Sequence, residues 1–160
     1  MALILCLETS SKNCSVSACN NGSLIMVKEN FDDNYCHGEQ LHVLIKSLLT
    51  DLKISIEDFD AFAFSAGPGS YTGLRIGAAA IKGLAYALEK PVIAISTLQS
   101  MAYGLLSSGL FKPKKNSLFF PVLDSRKGEV YTALYNDSYE EYLTPFSCSI
   151  SSFSFKKYLD

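Results

Sequence analysis

Hydrophobic and polar positions alternate along this chain in two different rhythms. Leu3 to Leu7 is a continuous apolar run, as a buried strand shows, and Cys14 to Cys19 alternates apolar with polar, as a half-buried strand does. Asn20-Asn21-Gly22 carries the Asn-Gly signature of a tight hairpin, and Leu24 to Lys28 returns as the next strand. The rhythm then changes. From Gly38, the residues Leu41, Leu44, Ile45, Leu48, Leu49 and Leu52 follow helical spacing. Ser55-Ile56-Glu57-Asp58 reads as a capping-box turn with aspartate in the reciprocal position. Ala61 to Phe64 is a further buried strand, and a helical pattern follows it to about Glu89. Pro91 to Ile95 reads as another buried strand, with proline at the position that needs no ladder donor. Ser96 to Gln99 opens a helix that reaches about Leu106.

The order β-β-β-α-β-α-β-α predicts three antiparallel strands followed by right-handed parallel crossovers. That is a mixed α/β sheet with helices on its faces, the plan of ribonuclease H-like and actin-like lobes. Ser107 to Asn116 is rich in Ser, Gly, Lys and Pro and marks a lobe boundary, giving residues 1–108 and 109–160. In the second part, Leu118 to Leu123 and Glu129 to Tyr135 read as strands, with Tyr142 to Thr144 as a short third. Beyond Pro145 the pattern fades, so this lobe is expected to be small or unfinished.

The least ordinary stretch joins the third apolar strand to the second helix: Ser65-Ala66-Gly67-Pro68-Gly69-Ser70-Tyr71-Thr72-Gly73. Pro68-Gly69 fits a type II turn, and Ser70 or Thr72 can cap the helix. A strand, a glycine turn and a helix N-terminus together suit an anion. No Gly-Lys-Ser/Thr follows, and the glycine spacing is not that of a dinucleotide fold. On the helix, Leu74, Ile81 and Leu88 make an aliphatic stripe, and Gly73, Gly77, Ala80, Gly83 and Ala87 make an adjacent flat one. Interior glycines each cost about 0.5–1 kcal/mol against alanine, so a close-packed backbone must compensate. That backbone is either the chain's own sheet or a second polypeptide.

Composition narrows the chemistry. The 160 residues are 48% hydrophobic with a formal charge of −2, which supports a sizeable core and disfavours autonomous nucleic-acid binding. Five cysteines without a CxxC pair suggest neither a disulfide framework nor a zinc cluster, and a reducing compartment is expected. The apolar start is too short for a signal or membrane helix, so a cytoplasmic protein without membrane contact is expected. His37 and His42, five residues apart, do not share a helical face for a metal. Glu8, with Thr9 and Ser10, ends the first strand where actin-like lobes place a Mg²⁺-handling acid, and Asp124 opens the turn where a second acid often stands. For each the favoured reading is a plain polar turn, and no Ser/His/Asp or Cys/His set can be assembled.

Several segments resemble the TsaB (YeaZ) family, a partner in making threonylcarbamoyladenosine at adenosine 37 of tRNA. They are Leu5-Cys6-Leu7-Glu8-Thr9-Ser10, Cys14-Ser15-Val16, His37-Gly38-Glu39-Gln40-Leu41 and Gly67 through Gly77, then Lys82-Gly83-Leu84-Ala85, Pro91 through Ser96 and Asp124 through Tyr131. Glu8 stands where the family has Asp and Ala66 where it has Arg. Members are longer, with a fuller second lobe and a closing helix, which leaves a truncated or degenerate form open. The resemblance implies an actin-like, two-lobed fold and a non-catalytic scaffold that dimerises with the TsaD paralogue, the TsaE ATPase joining them. It implies a homodimer when alone, and tRNA met only through the complex. It implies no required cofactor, with ATP or ADP admissible at the partner interface. The partner surface carried over comprises His37, Leu41, Leu44, Ile45 and Leu48 of the first helix and Gly73, Gly77, Ala80 and Leu84 of the second. The nucleotide or anion contacts carried over are Glu8, Thr9, Ser10, Gly67, Gly69, Ser70 and Asp124. Two other readings stand beside this one: a stand-alone actin-like phosphotransferase or ATPase, and a glycoprotease-like metallopeptidase homologue.

Overall fold

The computed structural model describes residues 1–31, 37–110 and 112–150. The loop after Phe31 and the Ser/Phe-rich tail from residue 151 lie outside the described residues. The chain divides into two compact units, Met1–Ile95 and Ser96–Asp160.

In the first unit, β1 (Leu3–Glu8), β2 (Asn13–Asn20) and β3 (Ser23–Phe31) form an antiparallel meander. Asn21 and Gly22 take φ of 51° and 79°, the left-handed pair that an Asn-Gly hairpin requires. Helix α1 (His37–Leu52) leads to β4 (Ala61–Gly67), which pairs parallel to β1 with Leu5 opposite Phe62. Helix α2 (Tyr71–Leu88) precedes β5 (Val92–Ser96), and the strand order is β3-β2-β1-β4-β5. The capping turn at Ser55 forms, its amide donating to the Asp58 carboxylate at 2.8 Å.

One sheet face carries the core. Leu5, Leu7, Val16, Ala18 and Phe62 meet Leu41, Ile45 and Leu48 of α1 and Ile81 and Ala85 of α2. The alternation along β1 and β2 and the helical spacing of α1 and α2 thus converge on a single layer. Each fully buried leucine or isoleucine there contributes about 1.5–3 kcal/mol relative to exposure. The expectation of a buried fifth strand fails. Val92, Ile93, Ala94 and Ile95 are all exposed, because β5 is the edge of this sheet.

The second unit begins earlier than the composition break at 108 suggests. Helix α3 (Thr97–Ser107), capped by Ser96, packs Leu98 and Ala102 against Phe119, Ala133 and Tyr135. The expected strand at Leu118–Leu123 is two short ones, β6 (Leu118–Phe119) and β7 (Val122–Asp124), both antiparallel to β8 (Glu129–Asn136). Pro121 between them has no N–H for the ladder, and its carbonyl accepts from the Thr132 hydroxyl at 2.9 Å. The third strand, β9 (Glu141–Ser149), is far longer than Tyr142–Thr144. It pairs with β8 and accommodates Pro145 at a register shift between Leu143 and Phe146.

Candidate functional site

Where the apolar run of β1 ends, the chain turns through Glu8, Thr9 and Ser10 beneath the start of α2. The Glu8 carboxylate accepts from the Ser10 amide at 2.6 Å and from the Ser65 hydroxyl of β4. The Ser10 carbonyl accepts from the Ser70 amide at 2.7 Å, and the Ser70 hydroxyl accepts from the Gly73 amide at 3.3 Å. Of the two cap candidates, Ser70 is the one used. The turn before it is not type II. The Gly67–Pro68 peptide is cis, and Gly69 has φ of 156° instead of the value near +80° that type II requires. A Cβ on Gly69 would lie 2.5 Å from the Ser10 carbonyl oxygen, so this close approach excludes any larger residue.

Of the expected anion contacts, Glu8, Ser10, Gly69 and Ser70 lie together, but they bind or pack on one another. Glu8, Ser10, Ser70 and the amide of Gly73 are engaged within the chain, and Thr9 and Ser10 are buried. The amides of Ser70 and Gly73, which the anion reading needs facing outward, donate to Ser10 and to the Ser70 side chain. Asp124 belongs to the second unit, where it sits exposed at the end of β7. Among the described residues, no three His, Cys, Asp or Glu side chains converge as metal ligands.

The expected partner surface needs correction. His37, Leu41, Ile45, Leu48, Gly73 and Gly77 are buried inside the first unit. Leu44, Ala80 and Leu84 are half-buried against the same core. The periodic leucines that identify α1 are its core face, which is why they cannot also be its outer face. The two glycines have an internal cause. A Cβ on Gly73 would overlap the Thr9 carbonyl oxygen, and one on Gly77 would overlap the Thr9 hydroxyl. His37, against which Gly73 also packs, hydrogen-bonds the Ser11 carbonyl at 2.7 Å through Nε2. His37 thus ties the first residue of α1 to the β1–β2 turn.

The small-residue stripe of α2 is divided along its length. Gly73 and Gly77 are sealed beneath the β1–β2 turn, whereas a Cβ on Gly83 would meet nothing within 4 Å. The outward side of α2 carries Thr72, Arg75, Ala79, Lys82, Gly83, Tyr86 and Ala87. Thr72, Arg75, Ile76 and Ala79 line an open hollow of about 370 Å³. The guanidinium of Arg75, one of the lining residues, lies 5.4 Å from the Tyr71 ring centroid. Tyr86 is 89% exposed on α2, and Val43 is 58% exposed on α1. These residues fall between the periodic positions, and the one sequence signal for them is the glycine that α2 tolerates at 83.

The family model described as TsaD, tRNA N6-adenosine threonylcarbamoyltransferase, matches residues 34–145. The tRNA threonylcarbamoyladenosine biosynthesis protein TsaB of Escherichia coli K12 is 35% identical over 135 residues, covering 82% of this chain and 54% of that protein. TsaB of Bacillus subtilis 168 is 32% identical over 138 residues, with coverage of 82% and 54%. The solved structure of YeaZ from Pseudomonas aeruginosa superposes with a TM-score of 0.80 at 28% identity, covering 96% of this chain and 70% of that one. The chain spans about half the length of the curated relatives it matches. Its mixed sheet with covering helices is the actin-like, ribonuclease H-like α/β fold. With the glycine turn, the Thr9 contact and these matches in register, the chain belongs to the TsaB/YeaZ family, within the wider threonylcarbamoyltransferase group.

Proposed function

We propose that this chain serves the formation of threonylcarbamoyladenosine in tRNA as a non-catalytic subunit. It holds a TsaD paralogue against the outward sides of α1 and α2, and TsaE joins that assembly. tRNA is met through the complex, in the cytoplasm, and the chain pairs with its own copy when the paralogue is absent. A self-complementary patch of this kind suits two-fold pairing. The chain needs no cofactor of its own, and any ATP or ADP is held at the partner interface.

The observation that supports this reading is the open side of α2. Thr72, Ile76 and Ala79 leave a hollow of about 370 Å³, and Gly83 leaves its surroundings free, so a second helix can approach the α2 backbone there. Arg75, Tyr71 and Tyr86 flank the approach and are residue types that anchor interfaces. Glu8, Ser10 and Ser70 satisfy one another, which agrees with a support role better than with phosphate chemistry at that loop.

Gly83→Leu and Ala79→Arg add bulk where the chain itself leaves room. Ala79→Arg should keep the thermal unfolding of the parent and Gly83→Leu should melt at or above it, while both weaken capture of TsaD at least tenfold, about 1.4 kcal/mol. Undiminished capture by both would remove the proposal. The same variants should shift the homodimer toward monomer in sedimentation.

A further inference from the structure

We infer that Cys6 and Cys19 form a redox-responsive dithiol, closing to an intramolecular disulfide by exchange with a low-molecular-weight disulfide such as oxidised glutathione. In the β1–β2 ladder, Cys6 stands opposite Ser17 and Ile4 opposite Cys19. Directly paired residues share a face, and so do residues two apart on one strand. Cys6 and Cys19 are therefore diagonal neighbours on one face, the face turned away from the Leu5–Val16–Phe62 core. Both are partly exposed, unlike Cys14, which is buried on the opposite face. Cys19 and Ser17 stand close enough to Cys6 for both to act on its ionisation.

The two sulfurs are not interchangeable. Burial and the adjacent Cys19 push the Cys6 thiol up to about 12, so Cys6 is a poor first nucleophile. The first attack falls to the Cys19 thiolate. It bonds to one sulfur of oxidised glutathione and expels the other as glutathione thiolate. Cys6 then attacks the Cys19 sulfur of that mixed disulfide and expels the second glutathione. The proton of Cys6 passes to that leaving thiolate. Two protein thiols are oxidised and one glutathione disulfide is reduced to two thiols.

Backbone geometry sets the character of the bond. Diagonal partners in an antiparallel ladder sit about 7–8 Å apart at Cα, just beyond the roughly 6.8 Å that a relaxed disulfide spans. Closure thus needs a small backbone shift. The β2–β3 ladder is already irregular between Ala18 and Cys19, close to the hairpin turn, where such a shift is least opposed. A bond formed this way is strained, and strained disulfides are the easily reduced, regulatory kind.

The test is to incubate the full chain with oxidised glutathione, block free thiols and analyse tryptic peptides by fragmentation mass spectrometry. The expected product is the peptide ending at Lys12 joined to the peptide ending at Lys28, with fragments placing the bond at Cys19 and not at Cys14. Cys6→Ser should instead trap one glutathione on Cys19, and Cys19→Ser should trap none on Cys6. Millimolar reduced glutathione should reopen the parent bond. No linked peptide, a bond to Cys14, or glutathione retained on Cys6 would each overturn the assignment. A bond resistant to glutathione would overturn its labile character.

Discussion

Alanine at two glycines of one helix should act with opposite sign. Gly73 and Gly83 both belong to α2, and helix propensity alone predicts that Gly→Ala stabilises an interior position by about 1 kcal/mol. At Gly83 the new methyl meets nothing within 4 Å, so that gain should appear in full. At Gly73 the methyl would overlap the Thr9 main-chain carbonyl, an atom that no rotamer change can move. The turn carrying it is pinned on both sides, by the Glu8 carboxylate on the Ser10 amide and by the Ser70 amide on the Ser10 carbonyl. The helix must then back away by on the order of an ångström, loosening its packing on β1. Overpacking of this kind costs about 1–3 kcal/mol and occasionally more. With the propensity gain deducted and the lost α2 contacts added, Gly73→Ala should destabilise by about 2 kcal/mol. For a unit of this size, 1 kcal/mol corresponds to about 4–8 °C in Tm. Thermal unfolding followed by far-UV circular dichroism should therefore place Gly83→Ala above the parent by about that amount and Gly73→Ala below it by roughly twice as much. If Gly73→Ala melts at or above the parent temperature, the close approach of Thr9 to α2 is wrong. The explanation of the glycine pair falls with it.

Two further outcomes follow from the same geometry. His37→Ala removes the partner of the Ser11 carbonyl and leaves space beneath α2, and it should cost about 1–3 kcal/mol in urea unfolding. His37→Gln should recover part of that loss by restoring a donor. The second concerns alkali. Cys6 is raised in the folded chain from 9.0 to about 12, chiefly by burial, so between those values the unfolded chain releases the proton and the folded chain retains it. Stability from this group is complete below about pH 9 and is lost as pH rises toward 12, and Cys6→Ser should flatten that decline in urea midpoints measured across the range.

The local signals were legible from the residues alone. Apolar periodicity placed the five strands and two helices of the first unit. Asn21-Gly22 announced the hairpin, Ser96 announced its cap, and the α2 cap was narrowed to Ser70 or Thr72. The α1 leucines marked a helix, though not which of its faces meets the core. Each is a property of neighbours in sequence, where propensity, period or one side-chain hydrogen bond decides the outcome.

What the tertiary structure decided is non-local. Small residues on α2 record that something comes close, but sequence spacing does not say whether it is the chain's own turn or another molecule. Thr9, 64 positions before Gly73, answers that for Gly73 and Gly77, while Gly83 stays open. Glu8 is bound to Ser65, 57 residues away, and His37 to Ser11, so the apparent anion and partner residues became internal supports. Val92 to Ile95 read as buried because apolar composition signals a strand's character, whereas its exposure depends on which elements lie beside it. A polar or small residue takes its role from the atom opposite it, and that atom is fixed only when distant strands and helices have packed.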